Sequence, residues 1–333
     1  MKLLILGGTK FLGRHLVAAA QAAGHHVTLF NRGTRPGLFV DVEELRGDRG
    51  QGVDGLNALR GRRWDAVVDT SGYLPRLVRV SVEALCDTVG RYAFVSSISV
   101  YSDFTDAPDE SSPVAELADP NSEDIPRDYG ALKAACERIV ASTFGERALN
   151  IRPGLIVGPF DPTGRFTYWP MRLARGGEVL APADPAADVQ FIDARDLARW
   201  IVHLVERRVG GVFNATGPAQ QLRFDTFLET AARALGAQCR FTWVGADFLQ
   251  KAGVQAWTEL PLWVDDAPGL NRTRVSRALE AGLSFTALDT TVTDTFAWAQ
   301  TEVRARGPAA LGSAGLEPEK ESRVLTAWAR RSI

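Results

Sequence analysis

The sequence predicts an α/β protein built on a doubly wound parallel sheet, with a smaller mixed lobe toward the C-terminus. Two observations carry this. Over the first hundred residues short apolar runs alternate with helix-length segments, the pattern of strand–helix–strand units. The first run also breaks at Gly7-Gly8 into a glycine-rich turn that leads into apolar residues at helical spacing. Lys2–Leu6 reads as a buried strand, Phe11–Ala23 as a helix closed by Gly24, and His26–Phe30 as the next strand. Ala66–Asp69 reads as a strand, Arg76–Val89 as a helix, and Tyr92–Ser96 as a strand running into Ser97-Ile98-Ser99-Val100-Tyr101. Asp106–Pro126, rich in proline and acid, reads as a loop; a helix opens near Tyr129, and Asn150–Val157 is a further strand. Beyond Gly158-Pro159 the texture changes, and Phe160–Asp188 is rich in glycine, proline and aromatics. A helix over Asp196–Glu206 and a strand over Val212–Ala215 return to the sheet. The remainder holds five of the eight tryptophans, at 243, 257, 263, 298 and 328, and ends in a helix over Pro318–Arg331. The expected division is 1–158 with about 190–216 as a nucleotide-binding domain, and about 159–189 with 217–333 as a substrate lobe.

With 333 residues, 45% hydrophobic and 23% charged, the chain has the composition of a globular protein of about two domains. Thirty-eight basic against 40 acidic residues leave a net charge of −2, which argues against nucleic acid and anionic membranes as partners. The apolar run Leu3–Leu6 is shorter than a signal peptide requires, and no stretch reaches the length of a membrane span. Cys86, Cys136 and Cys239 are too few and too scattered for a disulfide framework or a chelating pair, so no metal is expected. A soluble cytoplasmic protein acting on a small molecule follows as the expectation.

The turn Gly7-Gly8-Thr9-Lys10-Phe11-Leu12-Gly13 joins a strand to a helix, where backbone N–H groups and the helix dipole hold a pyrophosphate, a Rossmann-like arrangement. Twenty-four positions beyond Gly7, where such folds read the adenosine ribose, stands Asn31-Arg32-Gly33 with no acidic residue. An arginine there pairs with a 2′-phosphate, and Lys10 adds a second cation, so NADP(H) is expected rather than NAD(H). Asp48 lies in a turn suited to the adenine edge. Thr70 and Ser71, at the end of the 66–69 strand, complete the cofactor candidates read from position. Tyr129 and Lys133 are four residues apart and share one face of a helix, so an ammonium is available to bring a phenol toward the working range. Ser97, just past a strand end, is placed to hydrogen-bond a substrate oxygen.

These residues resemble the extended short-chain dehydrogenase/reductase superfamily, often labelled the NAD-dependent epimerase/dehydratase family, over about residues 1–216. The turn Gly-Gly-Thr-Lys-Phe-Leu-Gly is similar to that of an atypical branch. The resemblance implies Tyr129 as catalytic acid/base, Lys133 as its pKa modifier and a ligand of the nicotinamide ribose, and Ser97 as the hydroxyl that orients the carbonyl. It implies that Arg152-Pro153-Gly154 closes over the nicotinamide, and that the protein can form a homodimer. Two departures narrow the chemistry. Sugar dehydratases of this family carry Asp-Glu after the catalytic hydroxyl residue, where this chain has Ile98-Ser99. Nucleotide-sugar epimerases place an arginine near the position that here is Val189, which argues against a nucleotide-sugar substrate unless Arg195, Arg172 or Arg165 substitutes.

Arg165-Phe166-Thr167-Tyr168-Trp169-Pro170 is aromatic and cationic together. It reads either as a substrate surface, through Arg165, Tyr168 and Trp169, or as a lid packed by its own aromatics. Tyr73, Ser99 and Arg195 complete the substrate candidates. The expected chemistry is hydride transfer at a carbonyl or secondary alcohol carbon, with net reduction favoured over self-recycling epimerisation; the remaining alternative is a non-catalytic RNA-binding or NADP-sensing protein.

Overall fold

Alternation of apolar runs and helices produces a parallel sheet because each crossover helix carries the chain back to the end where the previous strand began, so the next strand runs the same way. The computed structural model describes residues 1–182, 184–265 and 267–331. In chain order the first half contains β1 (Lys2–Leu6), α1 (Phe11–Ala22), β2 (His26–Asn31), β3 (Glu43–Arg46), β4 (Ala66–Asp69), α2 (Pro75–Leu85), β5 (Tyr92–Val95), α3 (Ile125–Phe144) and β6 (Ala148–Pro153). It continues through β7 (Ile156–Val157), α4 (Arg165–Leu173), β8 (Gly177–Pro182), β9 (Ile192–Asp193), α5 (Ala194–Glu206) and β10 (Gly211–Ala215). The chain ends with α6 (Phe224–Ala234), β11 (Cys239–Val244), α7 (Ala246–Lys251), α8 (Ser276–Glu280), α9 (Leu288–Arg306) and α10 (Pro318–Arg330).

Seven strands form one sheet in the order β10-β6-β5-β4-β1-β2-β3, every pair parallel. The order reverses between β1 and β4, and the crevice above such a reversal is where this architecture binds ligands. β1, β4 and β5 are apolar on both faces because helices cover both sides. One face carries a core from Leu16, Val17, Trp200 and Ile201; the other from Val78, Val82, Cys136 and Val140. A separate core gathers Phe166, Trp169, Val179, Phe191, Phe224, Phe227 and Trp263 around the parallel pair β8–β11.

Three differences from the sequence reading have local causes. The expected strand Asn150–Val157 is two strands: Gly154 donates to Ala215 (3.1 Å) where the chain leaves the sheet, and Ile156–Val157 pairs with β9 instead. β3, with the sequence Glu-Glu-Leu-Arg, is an edge strand that carries no apolar run and gave no sequence signal. The expected helix Arg76–Val89 closes at Leu85, and the Tyr129 helix opens earlier, at Ile125, where Asp124 caps it by accepting from Arg127 N (3.2 Å).

Candidate active site

The glycine turn is built for close approach. Gly7 and Gly8 adopt φ of +100° and +85°, and a Cβ on Gly7 would lie 2.7 Å from the Thr70 hydroxyl oxygen. A Cβ on Gly13 would lie 2.5 Å from the Gly8 backbone, so α1 starts as close to β1 as two chains allow. Lys10 stands before α1 and no side chain caps that helix, which leaves its first N–H groups facing the crevice. Thr9 and Leu12 are buried, Lys10 is exposed, and Phe11 turns edge-on to His15. Thr70 and Ser71 both donate to the Leu6 carbonyl (3.0 and 3.3 Å), fixing the opposite wall.

At the end of β2, Asn31 accepts from Gly33 N (2.7 Å) while its buried Nδ2 has no partner among the described residues. A buried donor without an acceptor is costly, and a ribose oxygen or an adenine ring nitrogen would satisfy it. Arg32 and Lys10 are exposed and neither has a carboxylate within ion-pair distance among the described residues. Arg14 stacks on Phe160 at 3.7 Å, and burial, Arg35 and Arg306 hold its guanidinium below the usual range. The same end of the crevice is therefore rich in positive charge. Asp48 accepts from Gly50 N (2.9 Å) in the turn after β3. The glycine cradle, the orphaned amide and the unneutralised cations fit a dinucleotide, with Pro153 buried at the end of β6 on the other side.

At the end of β5, the Ser97 hydroxyl accepts from Ser99 N (3.1 Å) and donates to the Ser99 hydroxyl (3.0 Å). α3 lies directly on this turn, because a Cβ on Gly130 would be 1.9 Å from the Ser99 carbonyl oxygen. That contact brings Tyr129, the preceding residue, to Ser97. Burial and Tyr73 raise the Tyr129 phenol, and the Ser97 hydroxyl and the Arg165 guanidinium act to lower it. The Tyr73 ring, 46% exposed, lies 6.5 Å from that of Tyr129.

Lys133 departs from the sequence expectation. It shares a face of α3 with Tyr129, but its fully buried ammonium donates to the carbonyls of Gly72 (2.7 Å) and Val95 (2.6 Å) and sits 4.2 Å over the Phe94 ring. It therefore links α3 to β5, and the cation acting on Tyr129 is Arg165. Burial lowers Lys133 to about 8.

The substrate candidates separate. Ser99 lines a cavity of about 620 Å³, and Arg165 lies half-buried with its guanidinium 5.4 Å over the Trp257 ring on the far wall. Trp169 is fully buried, donates to the Pro261 carbonyl (2.8 Å) and packs on Phe224 and Phe227, so it is a core residue. Tyr168 packs its ring on Trp169 at 4.9 Å, and burial pushes its hydroxyl far up. Arg195 is paired with Asp193 (2.7 Å) and Asp294, and Arg172 with Glu321 (2.7 Å); these are framework ion pairs rather than ligand contacts. Val189 is buried.

Sequence reasoning missed Trp257, Trp263, Val254 and Leu270, which line the cavity opposite Ser99. They lie more than 150 residues beyond Ser99 in the chain, and only Trp257 and Trp263, as part of a tryptophan-rich stretch, carried a sequence signal. It also missed Arg49, which forms a buried double hydrogen bond to Asp69 (2.7 and 3.2 Å) beneath the cofactor crevice. Among the described residues no cluster of His, Cys, Asp and Glu is arranged to hold a metal, and no helix is long and apolar enough to cross a membrane.

Residues 76–216 match the family model described as the NAD dependent epimerase/dehydratase family. The chain is 33% identical over 219 residues to a 2-alkyl-3-oxoalkanoate reductase of Stenotrophomonas maltophilia, covering 60% of this chain and 64% of that protein. It is 29% identical over 253 residues to a chloroplast stem-loop binding protein of Arabidopsis thaliana, covering 71% of this chain and 63% of that protein. The chain thus spans less than two thirds of the length of either relative. Among solved structures, a UDP-N-acetylglucosamine 4-epimerase from Bacillus cereus superposes with a TM-score of 0.67 at 20% identity, over 90% of this chain and 96% of that one. The human epimerase family protein SDR39U1, solved with NADPH, gives 0.63 at 20% identity over 89% and 99%. At such identities the structural likeness speaks for the fold. The match over residues 76–216 likens that stretch to the NAD dependent epimerase/dehydratase family, and the seven-stranded parallel sheet has the Rossmann-like fold of the solved structures it superposes on.

Proposed function

We propose that this protein reduces the carbonyl of a small polar or cyclic substrate with NADPH. The observation that carries the reading is the meeting of Tyr129 and Ser97 at the end of β5, above the sheet reversal where the glycine turn opens. When bound, the nicotinamide supplies the hydride. Gly7, Gly8 and Gly13 leave room for the pyrophosphate; Asn31 offers its orphaned amide to the adenosine half; Lys10 and Arg32 supply charge for a 2′-phosphate. Ser97 donates to the substrate oxygen and polarises it, and Tyr129, kept protonated by burial, delivers the proton as that oxygen gains charge. Lys133 fixes Gly72 and Val95, and so the walls on which both hydroxyls rest.

A reductase among the relatives and an NADPH-bound structural neighbour support net reduction, and the cations at the ribose position support NADP over NAD. Self-recycling epimerisation is the second reading, supported by the family label. Denaturing the purified protein and weighing the released nucleotide separates them: an empty protein that prefers NADPH is expected, and stoichiometric oxidised nucleotide would favour an epimerase. Tyr129→Phe is expected to lower turnover by about 10²–10⁴-fold with NADPH affinity kept. Unchanged turnover would remove Tyr129 from the chemistry.

A further inference from the structure

Resting on the reductase reading, we propose that the cavity opposite Ser99 takes a substrate with a flat or cyclic apolar body and a carboxylate, and that Arg165 is the residue that selects the carboxylate. The cavity, about 620 Å³, is large enough for a small ring system, and Val254, Trp257, Trp263 and Leu270 give it an apolar wall. The Trp257 backbone is held at φ +64° and Leu262, beside Trp263, at +72°. Bulky side chains adopt this region at a cost, and they keep it where the surrounding structure needs the rings in one place.

Arg165 opens α4 and lies half-buried over the Trp257 ring at 5.4 Å. Arg172 and Arg195, the other arginines named for this lobe, are each paired with a carboxylate, whereas Arg165 has neither an ion pair nor a side-chain hydrogen bond among the described residues. A guanidinium held over an indole by cation–π attraction keeps its N–H donors for a partner, and those donors match a carboxylate in two parallel bonds. Its influence on the Tyr129 phenol puts it within electrostatic reach of the reacting carbonyl. Arg165 stands behind the Trp257 ring, the lining itself holds no cation among the described residues, and Asp265 adds negative charge. One guanidinium in such surroundings balances a monoanion; a diphosphate would be left largely uncompensated. The substrate class is therefore a keto acid whose carboxylate lies across the cavity mouth from its ketone.

The test uses the full chain and two stable probes, 4-oxocyclohexanecarboxylate and 4-oxo-4-phenylbutanoate, each beside its methyl ester. Binding is measured by calorimetry with NADP⁺ present, on the parent protein, Arg165→Met, Arg165→Lys and Trp257→Leu. At least one acid is expected to bind about 10- to 100-fold more tightly than its ester. Arg165→Met should erase that preference while ester binding stays within about threefold and the melting temperature and NADPH affinity hold. Arg165→Lys should keep part of the preference, and Trp257→Leu should weaken acid and ester alike. Equal binding of acids and esters, a preference that survives Arg165→Met, or no binding of any probe at millimolar concentration would overturn the proposal. Turnover with NADPH is read separately: an acid that binds through Arg165 but is not reduced sinks the reductase reading and leaves the carboxylate site standing.

Discussion

At the scale of single residues, what an atom touches decides its chemistry more than what it is. Lys133 and Tyr129 are four residues apart on α3, yet the ammonium turns to two backbone carbonyls and the phenol to Ser97. The consequence is measurable. Lys133 is held at about 8 when folded, below its ordinary 10.5, because burial penalises the charged form. Below pH 8 it is protonated in both states and its burial cost is constant. Between about 8 and 10.5 the unfolded chain binds more protons, so this group's contribution to stability rises with pH through that window. The urea midpoint of the parent should therefore gain on that of Lys133→Met between pH 8 and 10. Since the ammonium holds the walls of the site, kcat/KM for reduction should fall as pH rises through about 8. A profile flat to pH 10 would show that the proton on Lys133 is not needed.

At the scale of elements, buried polar networks pin the strands to one another where the site forms. Asp69 at the end of β4 is fully buried, takes two bonds from Arg49 and one from Tyr92 of β5 (2.9 Å), and its carboxyl is held below the usual range by Arg49 despite its burial. Arg49 reaches on to Ser71 (2.9 Å), which faces the glycine turn. Removing one partner of such a pair leaves an uncompensated buried charge. Asp69→Asn should cost about 3–5 kcal/mol in urea unfolding. Replacing both partners with apolar residues should cost less, and equal losses in the single and double variants would show that the charge balance is not what matters. A second pair, Arg152 of β6 with Glu137 of α3 (2.7 Å), fixes the helix that carries Tyr129 against the sheet.

At the scale of the whole molecule, the crevice lies over the sheet reversal and the cavity lies between the turn after β5 and the tryptophan-rich segment 254–270. A ligand bound to the folded state alone stabilises it by mass action, about 2.7 kcal/mol at one hundred times its dissociation constant. NADPH should therefore raise the melting temperature more than NADH at equal concentration. Arg32→Ala should lower the NADPH shift toward that of NADH, with NADH affected little. Equal shifts from both nucleotides in the parent would overturn the assignment of Lys10 and Arg32 to the 2′-phosphate.

The sequence by itself determined the parallel α/β sheet and the glycine turn, because each is written in local signals: apolar runs, and glycines where no Cβ fits. The boundaries of α1, β2, β4 and β10 were legible within a residue for the same reason. Only the tertiary structure decided the rest. β3 has no apolar run to announce it and exists through pairing with β2. Trp169 and Arg195 have the composition of ligand contacts but are consumed by packing and by ion pairs, whereas Trp257, far away in the chain, faces the site. Composition reports what a side chain can do, and only the folded neighbourhood reports whether its hydrogen bonds and charge are already spent.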